Sequence, residues 1–379
     1  MKSVTKPTII QEDIATIAQA IAGEASQLSG RTILISGGAG FLGKYFLGVF
    51  AHLNENVLEK PCRVISVDNY ITGSRDPEFD IYKNEHVLDV WGDVTYPLPV
   101  REDIDYIIHA AGLASPVYYM KYPLETIESA VTGAKNLLEL ARKNTLRGFL
   151  FFSSSEIYGD PDPSAVPTPE TYHGNVSSVG PRACYDESKR LTETICTIYQ
   201  QKYGIPVKIV RPFNVFGPGM KHNDRRVVPM FGYQVLNGET LSVHGDGHQT
   251  RTFCYITDAM TGFLKVLMAG RPGEAYNIGN EENEISMRDL AQVFVDAVDG
   301  TARYDMIPYP ANYPAGEPQR RCPDLTKSRG ELGFAPQVNF RDGLERFLTW
   351  ARTQESYVGD PTSLKLRGAG KTTAEKITA

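Results

Sequence analysis

The chain has 379 residues, 41% of them hydrophobic, enough to bury one large domain or two of ordinary size. Its formal net charge of −6, with no basic block, argues against a nucleic-acid partner but leaves room for a local arginine cluster that binds a phosphorylated small molecule. Five scattered cysteines without a C-x-x-C pair, no apolar run of ~18 residues and no signal-peptide segment exclude a zinc site, a disulfide framework and a membrane span, and a cytoplasmic protein is expected.

Residues 8–28 place Ile10, Ile14, Ile17, Ile21, Ala25 and Leu28 three or four apart, which predicts an amphipathic helix in an extension, 1–30, packed on the main domain. From Arg31 the pattern changes. The runs 32–36, 63–67, 105–110, 148–154 and 207–211 read as buried parallel strands, and 123–143 and 186–203 carry helical spacing between them. This alternation predicts an α/β fold with a doubly wound parallel sheet over 31–213. Residues 214–354 are looser, with short strands near 241–244 and 275–278 and helices near 257–269 and 286–298, and read as a smaller lobe with some return to the sheet. Residues 355–379 are polar and aperiodic and are expected to form a tail.

Two segments carry recognisable chemistry. In "ILISGGAGFLGKYFL", Gly37, Gly40 and Gly43 follow a strand and open a helix, with Phe41 and Leu42 between the last two. Glycine allows the backbone to turn tightly against a pyrophosphate, whose charge then meets the N–H groups of the helix N-terminus. The next strand ends "VISVDNY", placing Asp68 to accept from both ribose hydroxyls, with Asn69 beside it. A carboxylate there repels a 2′-phosphate, so NAD rather than NADP is expected. Asp93, in "WGDVT", is expected near the adenine. The second segment, "GPRACYDESKR", sets Tyr185 and Lys189 one helical turn apart.

Glycines so spaced, an Asp after the second strand and Tyr-x-x-x-Lys resemble the extended short-chain dehydrogenase/reductase family over about residues 31–350. The resemblance implies a Rossmann sheet with a C-terminal substrate-binding lobe, NAD as cofactor, a nucleotide-sugar substrate and a homodimer. It casts Tyr185 as the base that takes a sugar hydroxyl proton. Lys189 favours the phenolate and holds the nicotinamide ribose, and Ser154, in "FFSSSEIYGD", shares the proton. An ordinary phenol has a pKa near ~10, and the nearby ammonium, with the nicotinamide's charge, is expected to lower it.

"SSSEIYGDP", "GPRACYDESKR", "RPFNVFGPGM", "HNDRRVVP" and "GDGHQTRTFCYITD" further resemble, in order, segments of the UDP-glucuronate decarboxylase (UDP-xylose synthase) group. On that resemblance Glu156 and Arg321 serve the substrate carboxylate and C5, Tyr119 contacts the sugar, and Asn214, Arg226 and Arg251 hold the diphosphate end. Where that group usually has a lysine after the arginine, this chain has Cys322. A nucleotide-sugar 4-epimerase or 4,6-dehydratase is the alternative, since a dehydratase also uses a glutamate at position 156. A non-catalytic NAD-binding scaffold is the distant one.

Overall fold

A computed structural model describes residues 7–79, 84–282, 284–298, 300–309 and 318–358. The first helix, α1 (Ile9–Ala20), starts in a capping box in which Thr8 and Gln11 satisfy each other's backbone N–H. The expected helix over 8–28 is broken. It stops at Ala20, and a separate 3₁₀ turn, Ala25–Leu28, buries the last two residues of the apolar stripe. Gly48 lets α1 approach, since a Cβ there would lie 2.5 Å from Ile14 Cδ1.

Strands β1 (Thr32–Ser36), β2 (Arg63–Asp68), β3 (Val87–Trp91), β4 (Tyr106–His109), β5 (Gly148–Phe152) and β6 (Val207–Pro212) form one parallel sheet with Ala275–Ile278. The order is Ala275–Ile278, β6, β5, β4, β1, β2, β3. The strand order reverses beside β1, which opens a crevice at the carboxyl ends of β1 and β4. Strand residues alternate between two apolar layers. Ile33, Ile35, Ile108, Leu150 and Phe152 pack with α2 (Phe41–Asn56) and its neighbours, whereas Leu34, Ile107, Phe149 and Phe151 pack on the opposite side with Leu137, Leu138 and Cys196. Those last three lie on α4 (Pro123–Ala141) and α5 (Ala183–Tyr203), and the short α3 (Pro116–Lys121) precedes α4. Burial on both faces explains the unbroken apolar runs of the strands.

Beyond β6 the chain forms small sheets at the mouth of the crevice. Val215–Phe216 pairs with Cys254–Tyr255, and Leu241–His244 with Tyr304–Ile307. A third sheet joins Thr250–Arg251 to Ile285–Ser286 and Arg320–Arg321, and its register sets Arg321 beside Arg251. Residues 355–358 are not tail. They form a short helix whose buried Tyr357 donates its hydroxyl to the Met220 carbonyl at 2.9 Å. The remainder of the expected tail, 359–379, lies outside the described residues.

Candidate active site

Within the crevice the glycine loop leaves the carboxyl end of β1 and enters α2 at its N-cap, Gly40. Gly37 has φ +81°, and a Cβ there would sit 2.7 Å from Ala111 N. A Cβ at Gly43 would overlap the Gly37 carbonyl oxygen at 2.1 Å, so the first turn of α2 folds tightly on the loop. Gly38 plays a part that spacing did not mark, since a side chain there would run into Ser66 Oγ on β2. Asp68, at the end of β2, accepts from Ala39 N at 2.9 Å and Tyr70 N at 2.7 Å, which fixes its carboxylate beside the loop. Burial raises its pKa against the pull of those two bonds. Asn69 donates to Asp93 at 3.0 Å, so these two residues act as a pair. Burial of Asp93 is outweighed by bonds from Thr95 and Asn69, and its pKa is lowered.

The crevice continues into a cleft of about 1220 Å³ lined by Phe41, Leu42, Tyr119, Ser154, Glu156, Tyr185, Lys189, Asn214, Arg226, Arg251 and Arg321. Tyr185 and Lys189 lie on one face of α5. The Lys189 ammonium donates to the Phe152 carbonyl at 2.7 Å, and burial depresses its pKa to about 8. The Tyr185 ring stacks on Tyr119 with centroids 5.4 Å apart. Burial raises the Tyr185 phenol to about 12 although a hydrogen bond with Ser154 pulls it down. The expected depression of this pKa is therefore not produced by the protein's own side chains. Desolvation outweighs what they offer the phenolate.

Glu156 follows β5 in a 3₁₀ turn capped by Ser154, whose Oγ accepts from Glu156 N at 3.2 Å. Its carboxylate is gripped by Arg321, Nη1 to Oε1 at 2.6 Å and Nη2 to Oε2 at 2.7 Å. Arg182 pairs with the same Oε2. Burial would raise the Glu156 pKa, but Arg321, Arg182 and Arg251 together hold it down to about 2. Arg182 was not singled out from the sequence. It lies three residues before Tyr185, and only the fold turns it toward Glu156. Asp186, next to Tyr185, is pushed up to about 7 by burial and by Glu156. The segment 160–175 pairs, through Thr168, with the residues that follow Arg321. Thr168 N donates to the Cys322 carbonyl at 2.9 Å, and Asp324 N to the Thr168 carbonyl at 3.0 Å.

At the far end of the cleft Asn214, with φ +37°, donates to the Thr252 carbonyl at 2.7 Å. Arg226 is tied to Asp224 by its Nε at 2.7 Å, within the same loop. Both therefore line the cleft with part of their polar capacity already engaged.

The profile of the NAD dependent epimerase/dehydratase family matches residues 33–279. The chain belongs to this family. It is 40% identical to UDP-glucuronic acid decarboxylase 5 of Arabidopsis thaliana over 83% of this chain and 88% of that one. UDP-glucuronic acid decarboxylase 1 of Danio rerio is 35% identical over 90% of this chain and 79% of its own length. Among solved structures, DesIV, a dTDP-glucose 4,6-dehydratase of Streptomyces venezuelae crystallised with NAD and TYD, superposes with a TM-score of 0.76 at 27% identity. That match covers 86% of this chain and 99% of DesIV.

NAD is the cofactor of this family, and the loop fits it. The glycines leave backbone unshielded at the start of α2, and Asp68 presents a fixed carboxylate with lone pairs beyond the two it shares with Ala39 and Tyr70. Phe41 and Leu42, at the start of α2, also line the cleft, so loop and cleft are continuous. No helix among the described residues is long and apolar enough to cross a membrane, and none of their His, Cys, Asp or Glu residues cluster as a metal site.

Proposed function

We propose that this member of the epimerase/dehydratase family decarboxylates UDP-glucuronate to UDP-xylose. One observation carries the reading from the structure. Two guanidinium groups, of Arg321 and Arg182, pair with the Glu156 carboxylate in the cleft that Tyr185 also lines, and Arg251 adds a third positive charge near enough to lower its pKa. Such an excess of cations favours a sugar that brings its own negative charge next to the reacting carbon. The 35–40% identity to UDP-glucuronic acid decarboxylases over most of the chain supports the same substrate.

Gly37, Gly40, Gly43, Asp68 and Asn69, with Asp93 paired to Asn69, would hold NAD, which when bound would supply the acceptor for the C4 hydride and the donor for the final reduction. Tyr185 takes the C4 hydroxyl proton through or beside Ser154, and the charge of Lys189 favours the phenolate. The resulting C4 ketone lies β to the carboxylate. When the bond from C5 to the carboxylate breaks, its electron pair passes into the ketone as an enolate and carbon dioxide leaves. Arg321 orients the carboxylate for that loss, and Glu156 manages the proton that C5 then receives. Tyr185 gives its proton back to the C4 oxygen as the ketone is reduced. Tyr119 stacks on Tyr185 and contacts the sugar, while Asn214, Arg226 and Arg251 serve the diphosphate end.

The exposed Leu124 and Ile127 of α4 and Leu191 and Ile198 of α5 form an apolar face that suits pairing with a second copy, so a homodimer is proposed. Five free cysteines suit a reducing cytoplasm. Incubating the NAD complex with UDP-glucuronate and weighing the product tests the function. Loss of carbon dioxide with a pentose product is expected. A six-carbon product inverted at C4 would make it an epimerase, and a 4-keto-6-deoxy product from a nucleotide sugar that lacks the C6 carboxylate would make it a dehydratase.

A further inference from the structure

Glu156 Oε2 accepts from two guanidinium groups, Arg321 and Arg182, whereas Oε1 accepts from Arg321. Both guanidinium groups therefore share one anion, and a substrate carboxylate would compete for the same cations. Arg321 Nε is buried without a partner, so its guanidinium has unused donor capacity inside the cleft. Arg182 is fixed independently of Arg321. Its carbonyl receives the N–H of Tyr185 at 3.0 Å and of Asp186 at 3.1 Å, and its Nε lies 3.7 Å from Asp186 Oδ2.

We propose that Arg182 is a positioning residue that holds Glu156 in the cleft while a substrate carboxylate takes over Arg321. The proposal rests on the reading of Arg321 as the partner of that carboxylate. Two carboxylates sharing one guanidinium repel each other, and a buried carboxylate stripped of its only partner is costly. With Arg182 present, Glu156 keeps a charged hydrogen bond through Oε2 when Arg321 turns to the substrate. Without it, Glu156 either clings to Arg321 and excludes the substrate carboxylate or becomes protonated. The charged and titratable groups around Glu156 are Arg321 and Arg251 from the small sheet, Arg182 at the N-cap of α5, and Tyr185 and Asp186 on α5.

The test compares UDP-glucuronate with UDP-glucose, which lacks the carboxylate, by calorimetry on the NAD complex in the Tyr185→Phe background so that nothing turns over. Adding Arg182→Gln is expected to weaken UDP-glucuronate by ~10-fold or more, the scale of one charged hydrogen bond, and to leave UDP-glucose unchanged. Arg182→Lys should restore most of the loss. Equal loss for both ligands would reduce Arg182 to a purely structural role and overturn the proposal, as would no loss for either. If the Tyr185→Phe protein itself binds the two ligands equally, the carboxylate reading of Arg321 is what fails, and the proposal falls with it.

Discussion

The Lys189 ammonium sits 5.8 Å from the centre of the Tyr185 ring while donating to the Phe152 carbonyl at the end of β5. The strand end thus aims the cation and the helix aims the phenol. With burial the largest cause in both, Tyr185 at about 12 and Lys189 at about 8 sit as neutral phenol and partly neutral amine in mild alkali. The proposed mechanism therefore requires Lys189 to stay charged. The rate should fall above about pH 8 as Lys189 loses its proton. Lys189→Met should lack that alkaline limb and lose ~10²-fold or more, the scale of a positioned acid–base group. Tyr185→Phe should abolish turnover. A pH–rate profile identical in wild type and Lys189→Met would remove the lysine from the mechanism.

Asp68 gives a prediction about the cofactor alone. Its two oxygens are already anchored by Ala39 N and Tyr70 N, so it cannot swing away from a 2′-phosphate. Titration should show NAD bound more tightly than NADP, and Asp68→Ala should narrow the gap chiefly by weakening NAD. Equal affinities in the wild type would withdraw Asp68 as the ribose ligand.

How much of this was legible in the sequence depends on whether the signal was local. The strands β1, β2 and β6 and the glycine loop were plain, because parallel strands buried on both faces leave unbroken apolar runs and a helix N-terminus against a strand demands glycine. Tyr185 and Lys189 were legible as one turn of a helix. Arg182 was hidden although it lies only three residues before Tyr185, because its partner Glu156 is 26 residues away and belongs to another element. The pairing of Glu156 with Arg321 spans 165 residues and depends on a three-strand sheet whose members are two residues long, too short for any periodicity to announce. The break in the N-terminal helix was missed for a different reason. Buried Ile21, Ala25 and Leu28 keep helical spacing through a turn and a 3₁₀ segment, so periodicity continued where the helix did not.

That N-terminal helix carries a buried charge with a readable pH signature. Asp13 on α1 accepts from the Tyr255 hydroxyl at 2.7 Å and from Arg346 Nη2 at 2.7 Å. Burial nevertheless raises its pKa from 3.8 to about 6. A carboxyl raised in the folded state binds its proton more readily there than when unfolded. Its favourable contribution is thus complete below about pH 4 and declines as pH rises through about 6. Asp13→Asn should flatten stability over that interval, as read by urea denaturation at several pH values. Asp13→Ala, which leaves Tyr255 and Arg346 without this acceptor, should cost about 2 kcal/mol. An unaltered slope in Asp13→Asn would mean that another group sets it.

The decarboxylase reading itself meets its sharpest test at Glu156 and Arg321. Neither residue belongs to the glycine loop or touches Asp68, so Glu156→Gln and Arg321→Ala should both still bind NAD. The two variants differ in what they leave behind. Glu156→Gln keeps the shape but removes the charge that balances Arg321 and Arg182, whereas Arg321→Ala leaves Glu156 on Arg182 alone. Glu156→Gln should slow carbon dioxide release from UDP-glucuronate far more than it weakens substrate binding, whereas Arg321→Ala should weaken both, because Arg321 is the partner proposed for the substrate carboxylate already in the bound state. An interaction made chiefly in the transition state appears in turnover rather than in affinity. If Glu156 manages the C5 proton, the wild type run in deuterated water should place one solvent deuterium at C5 of the pentose. Glu156→Gln, having lost that control, should accumulate the 4-keto species ahead of the pentose, which mass spectrometry of quenched samples resolves. Normal carbon dioxide release and a normal pentose from Glu156→Gln would show that the carboxylate only anchors Arg321, and the C5 proton would then have to come from another group in the cleft.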